Sequence, residues 1–244
     1  MNRKLVIAAA LVAGGAATAA ADEQTIRRVI GANLSGGSIV SVQKLPRGGL
    51  YEVAVQGTQG LVLLYTDPAA EVLLVGKLLD TETGLNLTEA RMRELTTVDW
   101  ENLPFHWALT MKRGDGRRQI AIFADPNCPY CERFESDLAR VADITVHVFM
   151  YPIIKPHSVE QTKAVWCSRD PVKAWNDLML ERIVPAASPE CENPIDELLA
   201  LGRRLGIGST PTWFLRNGER HAGAISMDDL IPLLDAAGQA PGER

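Results

Sequence analysis

At 244 residues, 46% of them hydrophobic, the chain can fill one large core or two small ones. Its formal net charge of −5 becomes about −7 once the basic residues of an expected leader are gone, which argues against a nucleic-acid partner. Four cysteines are present, Cys128, Cys131, Cys167 and Cys191, and on counting alone they allow three connectivities.

The N-terminus, MNRKLVIAAALVAGGAATAAADEQ, joins basic Arg3 and Lys4 to an apolar run from Leu5 to about Ala13, then to an A-x-A site at Ala19–Ala21. The run is too short to span a bilayer, so residues 1–21 read as an export signal cleaved after about Ala21. Export to an oxidising compartment favours pairing of an even set of cysteines. From Asp22 to about Asn33, Ile26, Val29 and Ile30 keep helical spacing. Beyond Gly36-Gly37 the texture turns to strand: GSIVSVQKL, LYEVAVQ, GLVLLYT and EVLLVGKL, with Gly57, Gly60, Asp67 and Pro68 at the turns. Alternation in the second strand sets Tyr51, Val53 and Val55 against Glu52, Ala54 and Gln56. Residues 22–82 thus form a small antiparallel sheet with one helix, marginal on its own at about 60 residues and expected to lean on another surface.

NLTEARMREL predicts a polar helix with an N-x-x-E capping pair, Asn86 and Glu89. It serves as a spacer within a linker over residues 83–104. In residues 105–244, HWALTM and QIAIFAD are strand-like and flank the turn sequence Arg113-Gly114-Asp115-Gly116. A helix follows, with Cys131, Phe134, Leu138 and Val141 on one apolar face. Then come the strand ITVHVFMY, helices near 159–168, 172–184 and 195–205, a hairpin turning at Asn217-Gly218, and a last helix, MDDLIPLLDAA. Strand, C-x-x-C, helix, strand, helices, hairpin, helix is the order of a thioredoxin fold with a helical insertion, and it makes the cysteine pair in DPNCPYCERF a redox motif.

Pro129 suits the first turn of a helix, which puts Cys128 at the helix N-terminus and Cys131 one turn inside. Unpaired N–H groups and the helix dipole there stabilise a thiolate. Cys128 is therefore expected to be an exposed nucleophile and Cys131 the buried thiol that resolves a mixed disulfide. Structural zinc would call for four ligands, usually from two such pairs, and neither the remaining cysteines nor the histidines have that spacing. No metal and no cofactor are expected. Ser209-Thr210-Pro211 precedes the hairpin strand where thioredoxin-like folds carry a cis-proline, so the Thr210 backbone is expected to pair with an extended substrate. Cys167 and Cys191 flank the helical insertion and are expected to form a structural disulfide. Asp125, three residues before the nucleophile, is read as either an influence on it or a loop-positioning residue. His106, His147, His157 and His221 are not taken as catalysts, and Trp166, Trp175 and Trp213 are read as core.

The stretches FADPNCPYC, KAVWCSRD around Cys167, Cys191, LGIGSTP with its N-G hairpin, and upstream GLYEV and LLYTD resemble periplasmic protein disulfide isomerases of the DsbC/DsbG type. The resemblance implies a two-domain α+β architecture: a small cystatin-like N-terminal dimerisation domain, a linker helix and a thioredoxin-like catalytic domain. It also implies a V-shaped periplasmic homodimer that acts on misfolded or oxidised exported proteins, with its cysteines kept reduced by a DsbD-type membrane thiol reductase. Pro129 and Tyr130 face substrate in this reading, and Pro-Tyr is the DsbG-like dipeptide where the DsbC branch usually has Gly-Tyr. A reductase of sulfenylated cysteines and a chaperone-like binder of unfolded exported proteins are the alternative functions.

Overall fold

The structure, a computed structural model, describes residues 14–57 and 60–238. The expected export signal therefore lies largely outside the described residues. The chain divides into two compact units at Thr88/Glu89, and α2 (Leu87–Thr96), the expected spacer helix, straddles the division.

In the first unit α1 (Gly14–Asn33) precedes a four-stranded antiparallel sheet in the order β1-β2-β3-β4: β1 (Ser38–Lys44), β2 (Tyr51–Gly57), β3 (Gly60–Thr66) and β4 (Leu73–Val75). Ile26 and Ile30, one turn apart on α1, are buried in a core with Val42, Tyr51, Val53 and Val55. The Tyr51 hydroxyl donates to Asp22 Oδ2 at 2.9 Å, fixing the helix against the central strand.

Strand β2 departs from simple alternation. Glu52 and Ala54 are buried as well as Tyr51, Val53 and Val55, because β2 is flanked on both sides and its second face lies beside Leu63 and Tyr65 of β3. Tyr65 in turn reaches the Thr88 hydroxyl at 2.6 Å. Strand β4 is shorter than EVLLVGKL suggests. The Asp67 carboxylate accepts the N–H groups of Ala69, Glu71 and Val72, so the chain is held in a turn and pairs only from Leu73. Leu73, Leu74 and Val75 are all exposed.

The second unit is built on a five-stranded sheet in the order β5-β7-β6-β8-β9, from β5 (Leu109–Arg113), β6 (Arg118–Ala124), β7 (Ile144–Met150), β8 (Thr212–Leu215) and β9 (Arg220–Ala222). Only β6 and β7 are parallel, and α3 (Pro129–Leu138) makes the crossover between them. Helices α4 (Ser158–Trp166), α5 (Pro171–Glu181) and α6 (Ile195–Arg204) lie between β7 and β8, and α7 (Met227–Ala237) closes the chain. Central β6 is buried without interruption from Ile120 to Ala124, as a strand covered on both faces must be.

One local feature differs from the sequence pattern. Phe105–Trp107 is a 3-10 turn and not the start of a strand, with Trp107 N–H donating to the Pro104 carbonyl. The turn at Gly114–Gly116 joins strands that are not neighbours, since β5 pairs with β7 and β6 lies on the far side of β7. At the Asn217-Gly218 turn, Gly218 has φ +83° and a Cβ there would strike the Val98 carbonyl, so the turn needs glycine.

Candidate active site

β6 delivers the chain into the cysteine motif at the end of the sheet. The Cys128 N–H donates to the Asp125 carbonyl at 3.1 Å, and the Cys128 carbonyl accepts from the Cys131 and Glu132 N–H groups at 3.0 and 3.1 Å. Cys128 is thus the N-cap of α3, in extended conformation, with Pro129 at the first helical position. The end of the same helix is tied by Arg113, which donates to the Leu138 and Val141 carbonyls at 2.5 and 3.2 Å.

Both motif cysteines are free thiols. Cys128 is brought down to about 5: the Cys131 thiol hydrogen bond is the main cause, and the backbone N–H groups of Cys131 and Tyr130 add to it against the cost of burial. Cys131 is fully buried and moves the opposite way, raised by burial and then by its bond and charge interaction with Cys128. The pair is therefore polarised into one thiolate and one held proton.

One expectation is corrected here. Cys128 is not exposed; its relative accessibility is 4%. The Thr210–Pro211 segment packs against it, with the Thr210 carbonyl oxygen 3.2 Å from Cys128 Sγ, where it accepts from the sulfur while that is protonated. The Thr210–Pro211 peptide is cis, and both residues are buried at the start of β8. Thr210 Oγ1 is buried with no hydrogen-bond partner among the described residues. Pro129 and Tyr130 are exposed, Tyr130 to 68%. Access to the sulfur therefore lies between an exposed Pro-Tyr turn and a buried cis-proline loop.

Cys167 and Cys191 form a disulfide across 24 residues, with Cα atoms 5.8 Å apart. It joins the end of α4 to the segment before α6 and encloses α5.

Both domains of the chain have known counterparts. Residues 17–89 match the model of the disulfide bond isomerase protein N-terminal domain, and residues 105–238 match that of a thioredoxin-like domain. The probable thiol:disulfide interchange protein DsbC of Bordetella pertussis is 38% identical over 195 residues, covering 80% of this chain and 68% of that protein. The chain belongs to the family of DsbC-type thiol:disulfide interchange proteins. Its fold is accordingly a DsbC-type N-terminal domain followed by a thioredoxin-like domain, and it is a thiol-disulfide oxidoreductase. A crystal structure of a disulfide interchange protein from Neisseria gonorrhoeae superposes with a TM-score of 0.54 at 33% identity, covering 56% of this chain and 99% of that one. The thiol:disulfide interchange protein DsbG of Pseudomonas aeruginosa is 27% identical over 194 residues, covering 72% of this chain and 75% of that protein.

Within this interchange fold one further polar residue lies beside the cysteine helix's core face. Glu135 lies one turn beyond Cys131 on the buried face of α3, inside the apolar stripe of Phe134 and Leu138. Its carboxyl accepts from Trp175 Nε1 at 3.1 Å, and burial pushes its pKa up to about 7. The signal was available, since an acidic residue at i+4 from a core cysteine breaks the stripe. Its partner is 40 residues away in the insertion, where sequence spacing says nothing. Trp175 and Trp213 are core residues, whereas Trp166 is only partly buried. His147 packs against Phe105 with ring centroids 4.5 Å apart and is held down to about 4 by burial.

Proposed function

We propose that this protein is a periplasmic, homodimeric disulfide isomerase and reductase of exported proteins, with Cys128 as nucleophile and Cys131 as resolving thiol. The observation that carries the reading is the opposed polarisation of the two sulfurs, Cys128 down to about 5 and Cys131 up. At neutral pH the Cys128 thiolate attacks one sulfur of a non-native disulfide. That S–S bond breaks, a mixed disulfide forms, and the departing substrate thiolate takes up a proton.

Two exits follow. In isomerisation, the freed substrate thiol attacks another disulfide of its own chain, and a substrate thiolate finally displaces Cys128; no net electrons are transferred. In reduction, Cys131 gives up its proton and attacks Cys128 Sγ, releasing substrate as a dithiol and leaving a Cys128–Cys131 disulfide. Returning that disulfide to two thiols takes two electrons and two protons, which we assign to a DsbD-type membrane thiol reductase. Thr210 and Pro211 supply the edge on which an extended substrate lies, with Pro129 and Tyr130 on the opposite rim. Cys167–Cys191 has a structural role.

We assign residues 1–21 to an export signal, 22–82 to the dimerisation domain, 83–104 to the linker and 105–244 to the catalytic domain. The exposed apolar strand β4, with Val72, supports dimerisation through the first domain, because an uncovered apolar sheet edge invites a second chain. Replacing Cys128 by Ser is expected to reduce refolding of a scrambled multi-disulfide substrate to the uncatalysed rate. Retained catalysis in Cys128→Ser would refute the proposal.

The Pro129-Tyr130 dipeptide and the DsbG relative favour a second reading, a reductase of sulfenylated cysteines. Here the Cys128 thiolate attacks the sulfur of R–SOH, the S–O bond breaks and hydroxide leaves, taking a proton from solvent to become water; Cys131 then gives up its proton and attacks Cys128 Sγ, which releases R–SH and leaves the Cys128–Cys131 disulfide. Trapping with Cys131→Ala separates the two. Capture of many partners through their disulfide cysteines supports the isomerase, and capture of a few through single oxidised cysteines supports the second reading. A chaperone-like activity would instead survive loss of both Cys128 and Cys131.

A further inference from the structure

The Asp125 side chain is fully buried at the end of β6 and is surrounded by donors. Its Oδ1 accepts the Asn127 N–H at 2.7 Å and the Ser158 hydroxyl at 3.0 Å. Its Oδ2 accepts two consecutive backbone N–H groups, Ile153 at 2.6 Å and Ile154 at 2.7 Å. One carboxylate therefore ties the turn just before Cys128 to the loop that follows β7. A second layer holds the same loop: the Asn127 amide donates to Ser158 Oγ at 2.9 Å and to Gln161 Oε1 at 2.6 Å, and its carbonyl oxygen meets His157 Nε2 at 3.2 Å.

The loop exposes Ile153 to His157, and its first two side chains, nearest the Asp125 clamp, are aliphatic. Ile153 and Ile154 are exposed to 39% and 42%, although both of their N–H groups are taken by the buried Asp125 carboxylate. A loop tied this firmly, yet with two branched aliphatic side chains turned toward water, is shaped to receive something. It adjoins the nucleophile's turn through a single carboxylate. A disulfide that reaches Cys128 carries its flanking residues with it, and cysteines of misfolded proteins come largely from sequences meant for a core.

We propose that Asp125 is a positioning residue that holds Ile153 and Ile154 as an apolar shelf beside Cys128, and that the shelf takes an apolar side chain flanking the substrate's cysteine. This rests on Cys128 being the nucleophile. Asparagine cannot replace Asp125, because its single carbonyl oxygen serves either the Asn127–Ser158 pair or the Ile153–Ile154 pair and its NH₂ faces the other pair's donors.

The test uses the pre-reduced full chain and two synthetic peptide disulfides of equal length, one with Leu and one with Ser flanking each cysteine. Each reaction converts the peptide disulfide to a dithiol and the enzyme dithiol to its disulfide, and the second-order rate constant is read. The native chain is expected to prefer the Leu peptide by ~10-fold, the scale of one aliphatic contact in a specificity site. The preference should fall to near unity in the Ile153→Ser/Ile154→Ser double variant, whose changes are on the surface, and likewise in Asp125→Asn.

Equal rates for the two peptides with the native chain, or an intact preference in the double variant, would overturn the shelf. If Asp125→Asn slows both peptides equally and keeps the ratio, Asp125 acts on the cysteine turn or on folding alone, and its positioning role falls. Reaction of either peptide with Cys128→Ser would instead refute the underlying reading of the nucleophile, an outcome distinct from failure of the shelf.

Discussion

Two pairs of cysteines sit in one domain and meet opposite fates. Cys128 and Cys131 are two thiols on the first turn of α3, while Cys167 and Cys191 are a disulfide spanning 24 residues. The difference is one of surroundings. A helix N-terminus gives Cys128 the backbone N–H groups of Tyr130 and Cys131 and a neighbouring thiol donor, so the thiolate is stabilised and the reduced state is favoured. Cys167 ends a helix and Cys191 lies in an exposed, irregular stretch, and neither has a comparable arrangement of donors. Closing their long loop removes chain entropy, which closing a C-x-x-C scarcely does. The same side chain is thus a reagent at one place in the fold and a cross-link at another.

The sharpest way to break the comparison is to remove the cross-link. Cys167→Ser/Cys191→Ser is expected to lose ~3 kcal/mol in denaturant unfolding, while Cys128 keeps its reactivity with iodoacetamide. A large loss of Cys128 reactivity in the folded variant would show that the two pairs are not independent. A smaller effect concerns Glu135, which touches both regions through Trp175 of the enclosed helix α5. Its carboxyl releases a proton near 4.5 in the unfolded chain and only at about 7 in the folded one. Folding stability should therefore fall as pH rises from about 4.5 to about 7 and level off above that range. Glu135→Gln keeps an acceptor for Trp175 and should lose this slope, gaining on the order of 1–3 kcal/mol at pH 8 relative to the native chain. An unchanged slope in unfolding measured across that range would contradict the assignment. The third variant, Cys131→Ala, acts on the reactive pair alone. Removing the thiol donor should move the Cys128 titration, followed as thiolate absorbance near 240 nm, upward from about 5, and an unmoved or lowered midpoint would contradict its main cause.

Much of this was legible in the sequence because it depends on local spacing. The helix that starts at Pro129, the strand in QIAIFAD and the Asn217-Gly218 turn all follow from residues a few positions apart. The differences arose where long-range packing decides. Burial of Glu52 and Ala54 depends on β2 being flanked on both sides, and the pairing of β5 with β7 cannot be read from the turn that joins β5 to β6. At the candidate site, the motif placed both sulfurs correctly on the helix. The burial of Cys128 comes from the Thr210 segment 82 positions later, and three of the four donors on Asp125 come from residues 153, 154 and 158. Asp125 was readable as a loop-positioning residue, but not which loop it holds.

The central claim, that position in the fold makes Cys128 the reagent and Cys131 its reserve, is tested most directly by alkylating the reduced protein with iodoacetamide across pH 4–9 and mapping the labelled peptide. Cys128 should take the label first, with a rate whose midpoint lies near 5, and Cys131 should stay unlabelled in the folded state throughout. Labelling of Cys131 first, or a Cys128 rate that rises only near the ordinary thiol range, would contradict it.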